Sequence, residues 1–275
     1  MSSAEATPSP TNERSGLPPG KPRKPRYRVT VQKVEPVSPH MVCVTFVGDE
    51  LASFGWSGPA SHIKLMFPKP GETELAMPDL DGPRPTMRTY TPRRFDAAAR
   101  ELDVEFFVHG DGPASTWASR ATAGQNLILA GPGRSYAIDA HAPWFILAGD
   151  ETAIPAIATI LEDLPPSTEA HVFIEVLDAT EERPLMTLAK ASIHWLTKQD
   201  PDAAATGNEL EAAIRHIGFP EGAGRIYVAC EAGAMRRIRK HILQERNFDR
   251  SRLVTRGYWK LGSTDHPDGD YGDDA

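Results

Sequence analysis

The chain has 275 residues, 40% of them hydrophobic and 24% charged, the balance of a soluble globular protein with room for two ordinary domains. A formal net charge of −7 argues against nucleic acid as the main partner, and no apolar run reaches the ~20 residues of a membrane span. Its two cysteines, Cys43 and Cys230, lie far apart, which excludes a disulfide framework, a cysteine zinc site and a cysteine-ligated iron–sulfur cluster.

Residues 1–25 are rich in Pro, Ser and Gly and poor in apolar side chains. They cannot bury enough surface to offset ordering entropy, so they read as a disordered, solvated arm. That stretch has no apolar core of the secretory type, so a cytoplasmic location is expected. From 27 to about 139, short β runs follow one another. Segment 27–31 alternates, 41–47 is β-branched and stops at Gly48-Asp49, and 62–68 puts Lys64 on its polar face. Segments 102–108 and 126–130 repeat the pattern between Gly-Pro, Pro-Gly and Asp-Gly turns, which predicts a small antiparallel β-barrel over 26–140.

From 144 the rhythm changes. Strands are predicted at 144–148, 171–176, 192–196, 225–230 and 253–258, and helices at 153–164, 208–217 and 232–244. Strands alternating with helices predict a mostly parallel sheet covered on both faces, an α/β domain over 141–263. The last stretch, 264–275, carries five aspartates and no Lys or Arg, and reads as an acidic disordered tail.

Arg88-Thr89-Tyr90-Thr91-Pro92-Arg93 lies between two barrel strands and offers a planar fork for phosphate oxygens, a flat aromatic face and short hydroxyl donors. About twenty residues on, the segment from His109 and Gly110 through Gly112, Pro113, Ala114, Ser115, Thr116 and Trp117 to Ala118 opens a helix with small residues. Its backbone N–H groups and the Ser115 hydroxyl can cradle a pyrophosphate. Gly149-Asp150-Glu151-Thr152-Ala153 opens the helix after the first α/β strand, where nucleotides bind and where carboxylates also serve as N-caps. Cys230 reads as a buried small hydrophobe. The cluster Arg236, Arg237, Arg239 and Lys240 fits either a nucleotide 2′-phosphate site or a solvated helix face.

In this order, Arg88–Arg93, His109–Ala118, Leu147-Ala148-Gly149-Asp150-Glu151-Thr152-Ala153-Ile154-Pro155-Ala156 and Gly257-Tyr258-Trp259-Lys260-Leu261-Gly262 resemble the motifs of the siderophore-interacting protein family. These are FAD-containing ferric-siderophore reductases of the ferredoxin-reductase superfamily, and the resemblance runs from about 27 to 262. It implies FAD lined by Arg88, Thr89, Tyr90 and Thr91, with Thr91 at the flavin N5 edge. His109, Gly110 and the turn from Gly112 to Ala118 would hold the ribityl and pyrophosphate part. Gly149 to Ala153, with Tyr258 and Trp259, would lie beside flavin and nicotinamide.

The resemblance further implies NADPH as donor, with NADH possible, and Arg236, Arg237 and Arg239 as phosphate candidates. A basic triad of Lys64, Arg134 and Lys260 would receive a ferric siderophore. No resident metal, no stable membrane insertion and a monomer are expected. Two other functions fit the same motifs: a reductase serving free flavin or a protein partner, and a non-catalytic siderophore-binding protein.

Overall fold

The computed structural model describes residues 24–68, 85–110, 112–199, 206–264, 266–267 and 269–272. Nearly all of the expected N-terminal arm, and Asp111 of the small-residue helix start, lie outside the described residues.

The first half is an antiparallel sheet of seven strands: β1 (Arg26–Ser38), β2 (Met41–Val47), β3 (Ile63–Phe67), β4 (Thr86–Tyr90), β5 (Pro92–Asp96), β6 (Glu101–Phe107) and β7 (Asn126–Ala130). Period-two alternation builds it. Tyr27, Val29 and Val31 of β1 and Leu102, Val104 and Phe106 of β6 point inward, while Arg28 faces solvent. Each such fully buried side chain contributes about 1.5–3 kcal/mol of transfer free energy. A short helix, α1 (Pro113–Ala118), plugs one end, and its Trp117 packs against Phe46, Phe67 and Phe106.

The sheet order is β4-β3-β7-β1-β2-β6-β5, so β4 and β5 are its two edges, yet Thr91 alone separates them in the chain. The sheet must therefore curl until its edges meet at Thr91. The segment expected between two strands is itself two strands with a corner in the middle.

The second half is a five-stranded parallel sheet, β10-β9-β8-β11-β12, made of β8 (Trp144–Asp150), β9 (Glu169–Val176), β10 (Lys190–Thr197), β11 (Arg225–Glu231) and β12 (Leu253–Trp259). All seven residues of the central β8 are buried, the signature of a strand covered on both faces. One face packs on α2 (Ile154–Asp163), the other on α3 (Asn208–His216) and α4 (Ala232–Lys240). The predicted helix 232–244 is α4 followed by a wider π-type turn, His241–Glu245. Chain order reverses between β8 and β11, which makes their carboxyl ends the switch point where ligands bind in such sheets.

The two halves meet along a polar seam. Buried Glu181 accepts from the Ser38 hydroxyl, from His40 N at 2.9 Å and from His40 Nδ1 at 2.8 Å. Arg93 of β5 pairs with Glu162 of α2 at 2.6 Å, and Arg183 reaches back to Glu105 of β6.

The described part of the acidic end corrects the expectation of a disordered tail. Gly257 N donates to Asp270 O at 2.9 Å, Asp270 pairs with Arg236 at 2.6 Å, and Arg256 lies over the Tyr271 ring at 4.4 Å. Composition underestimated this end because its partners lie on β12 and α4 rather than in its own neighbourhood.

Candidate functional site at the switch point

Gly149 is the last residue but one of β8, where a Cβ would stand 2.7 Å from Ala229 O and 2.6 Å from Ala153, so only glycine lets β8, β11 and the following turn close together. Next to it Asp150, 2% exposed, gathers the site. Its Oδ1 accepts from Thr152 N at 3.0 Å, and its Oδ2 accepts from Glu231 N at 3.0 Å and Trp259 Nε1 at 2.8 Å. One carboxylate thus ties the ends of β8, β11 and β12. Burial pushes its pKa up, against the pull of the Thr152 and Trp259 donors.

Glu151, also 2% exposed, lies 3.5 Å from Lys198 Nζ at the end of β10. Burial raises its pKa to about 7; Asp150 adds to the rise and Lys198 opposes it. Ala153 is fully buried beneath this turn. Glu231 caps α4 by accepting from Ala234 N at 2.9 Å, and its other oxygen accepts from Leu261 N at 3.3 Å, fixing the segment after Trp259.

The barrel corner meets this edge. Tyr258 bonds the Thr91 hydroxyl and, at 2.9 Å, the Tyr227 hydroxyl. Burial raises the Tyr258 pKa, so it stays a neutral hydroxyl. The His109 ring stacks on Phe107 at 5.4 Å and lies 6.3 Å from the Trp259 ring. Burial lowers its pKa, with Asp150 pulling the other way. Thr91, His109, Asp150, Tyr258 and Trp259, from both halves of the chain, therefore converge on one place.

Of the other expected site residues, Tyr90 packs on Phe106 at 4.4 Å, and Arg88 donates to Met87 O and to Thr264 O. Thr89 stands across from Lys64 on the outer face. Gly110, at φ 52, and Gly112 have nothing within 4 Å of a Cβ position, so the backbone there faces open space. The Ser115 hydroxyl accepts from His109 N at 2.8 Å, and Ala114 is buried. The bond closes the 109–115 loop and uses only a lone pair of Ser115, leaving its O–H to donate. Trp117 is drawn into the barrel core rather than onto the cleft, because a large ring fills the barrel end.

Lys64 sits on β3 opposite Ala130, and exposed Arg134 follows four residues later, after Gly133 N has bonded His62 O at 2.6 Å. Exposed Lys260 lies on the stretch between Trp259, held by Asp150, and Thr264, held by Arg88, so this stretch spans from sheet edge to barrel. Of the phosphate candidates, Arg236 pairs with Asp270 and Arg237 with Glu211; Arg239 lies on the same helix. Sequence reasoning missed Lys198, Tyr227 and Glu175. Glu175 is fully buried on β9, where burial raises its pKa while it accepts from Gly207 N at 2.8 Å and Leu210 N at 3.1 Å. For Glu175 the one signal was an acidic residue within the apolar run of β9; Lys198 and Tyr227 had none. Among the described residues no metal-binding group of His, Cys, Asp and Glu occurs, and no helix is long and apolar enough to cross a membrane.

Two family models match the chain: siderophore-interacting protein over residues 142–262, and siderophore-interacting FAD-binding domain over 30–136. The chain is 34% identical over 239 residues to ferric vibriobactin reductase ViuB of Vibrio cholerae, covering 83% of this chain and 87% of that protein. It is 28% identical to an NADPH-dependent ferric-chelate reductase of Escherichia coli, covering 85% and 93%. A crystal structure of a siderophore utilization protein from T. fusca superposes with a TM-score of 0.80 at 33% identity, covering 89% and 96%.

Proposed function

Because this chain belongs to the siderophore-interacting protein family, we propose that it is an FAD-dependent ferric-siderophore reductase. In this reading it takes electrons from NADPH and reduces Fe(III) held in a siderophore, as a monomer in the cytoplasm. The observation that carries the proposal is the meeting of the barrel corner at Thr91 with the switch point at Asp150, through Tyr258 and Trp259.

The residues present fit FAD. The open backbone at Gly110 and Gly112 leaves a cradle, and Arg88 supplies a guanidinium for phosphate oxygens. Bound there, FAD supplies the exchange between a two-electron hydride donor and a one-electron metal acceptor. Tyr90, Thr91 and His109 would orient it, and Trp259, fixed by Asp150, would close its nicotinamide side. Lys64, Arg134 and Lys260 would attract an anionic chelate, since a wide, hard-oxygen substrate is better held by charge than by a snug pocket. Once reduced, iron is bound less strongly by hard oxygen donors and leaves.

The test is spectroscopic. NADPH added without oxygen should bleach the visible absorption of the yellow protein, and a ferric chelate should restore it. A colourless protein that binds the chelate, or bleached protein that the chelate leaves bleached, overturns the proposal.

A further inference from the structure

In parallel sheets of this kind, phosphates of a nucleotide settle on helix N-termini at the carboxyl edge. Here the three helix starts at that edge are occupied from within. Asp150 at the end of β8 accepts from Thr152 N ahead of α2, Glu175 near the end of β9 accepts from Gly207 N and Leu210 N at the start of α3, and Glu231 at the end of β11 accepts from Ala234 N of α4. All three carboxylates are buried, at 2%, 0% and 7% exposure, so the N–H donors a phosphate would need at these helix starts already have buried partners. A donor nucleotide must be held there by side-chain cations instead.

Arg236 is placed for this. It lies one turn into α4, and its Nη1 folds back to Ala232 O at 3.4 Å, which brings the guanidinium to the amino end of the helix. An anion already sits on it: Asp270 Oδ2, at 2.6 Å from Nη2, with His266 Nε2 at 2.9 Å from the same oxygen. Asp270 also lies level with the switch point. Its backbone carbonyl takes Gly257 N, and Gly257 pairs with Cys230, one residue before Glu231. The seat depends on two missing side chains. A Cβ on Gly257 would stand 2.9 Å from Asp270 Oδ2, and one on Gly272 would stand 2.6 Å from Met235 Sδ.

We propose that the Asp270 carboxylate is an internal stand-in for a phosphate of the donor nucleotide on Arg236, and that the nucleotide binds by displacing it. This rests on the reductase reading of the site. The exchange is of one anion for another on an unchanged guanidinium, so no bond is made or broken. Because residues 259–264 continue into this tail and Thr264 O rests on Arg88, release of Asp270 would also loosen the stretch that carries Lys260 across the cleft.

The test measures NADP+ and NAD+ dissociation constants on the flavin-loaded protein, together with hydrogen exchange over 266–272. Asp270→Asn should bind NADP+ roughly fivefold more tightly, the scale of one half-exposed ion pair. Gly257→Ala, which evicts the same carboxylate without changing charge, should do likewise, and Arg236→Gln should weaken binding. Saturating NADP+ should strip exchange protection from the wild-type tail. A gain for NADP+ alone assigns the 2′-phosphate to Arg236, and a gain for both nucleotides assigns the pyrophosphate; either supports the displacement. Unchanged or weaker binding in Asp270→Asn and Gly257→Ala, or a tail that stays protected at saturation, overturns it. If NADPH still bleaches the flavin while these values stand still, only the displacement fails; if neither nucleotide bleaches it, the reductase reading fails.

Discussion

Asp150 and Trp259 are 109 positions apart in the chain, yet the indole Nε1–H donates to the buried carboxylate at 2.8 Å. The same oxygen takes the Glu231 backbone N–H, so the bond fixes the last strand to the switch point of the sheet. Trp259→Phe keeps an aromatic ring and deletes the donor, leaving part of a buried acceptor unmet. We expect a loss of about 1–3 kcal/mol in urea unfolding. The fluorescence of the remaining tryptophans should also respond less steeply to added FAD. A stability within a few tenths of wild type would show that packing alone positions this ring.

Glu151 gives the fold a pH dependence whose sign is set by burial. Its pKa stands at about 7 in the folded state against 4.5 ordinarily, so between these values the folded chain holds more protons than the unfolded one. The stability this group contributes is complete below pH 4.5 and is lost as pH rises through about 7, on the order of 3 kcal/mol at most. Asp150 and Glu175, also raised by burial, act in the same direction. Subtracting variant from wild type therefore reads Glu151 together with its coupling to Asp150. Glu151→Gln should flatten the fall in urea midpoint across this window, and Lys198→Met should extend the fall to higher pH by removing the opposing charge. Parallel curves for wild type and Glu151→Gln would refute the assignment.

The strands were legible where side chains alternate within one run, as in β1 and β6, and so was the change to alternating strands and helices after β7. The corner at Thr91 was visible as a motif but not as a junction of two sheet edges, because strand order depends on pairings far apart in sequence. The second role of Ser115 was hidden for a related reason. A hydroxyl at a helix start suits a phosphate, and nothing local shows that its oxygen also accepts from His109 N six residues earlier. The acidic end looked unable to order because composition counts apolar area. Its hold is instead a few long-range contacts: Arg236 to Asp270, Arg256 to Tyr271, and a Gly257 with no side chain in the way.

The cation triad predicts charge selectivity. Lys64 and exposed Arg134 flank the same end of β3 and β7, while exposed Lys260 rides on the stretch tied to Arg88 through Thr264. Lys64→Ala, Arg134→Ala and Lys260→Ala should each raise KM for an anionic ferric chelate by about two- to tenfold, with the effect shrinking as salt is added. A neutral chelate should barely register the change. Equal shifts for anionic and neutral chelates would mean that the variants disturb the cleft's shape rather than its charge.

Glu181 ties the two halves together through three hydrogen bonds. Its carboxylate, with no exposure, comes from the α/β half and accepts three donors from the β1–β2 hairpin, namely the Ser38 hydroxyl, His40 N and His40 Nδ1. Glu181→Ala strands these donors at a closed seam and should cost about 2–4 kcal/mol. Glu181→Gln retains an acceptor for the backbone N–H and should cost less. Unfolding followed separately by tryptophan fluorescence and by flavin release should then split into two transitions, because the barrel and the parallel sheet each have their own apolar core. Coincident transitions at wild-type stability would mean that apolar contacts across the seam, such as those of Met41 and Tyr136, hold the halves together without the carboxylate.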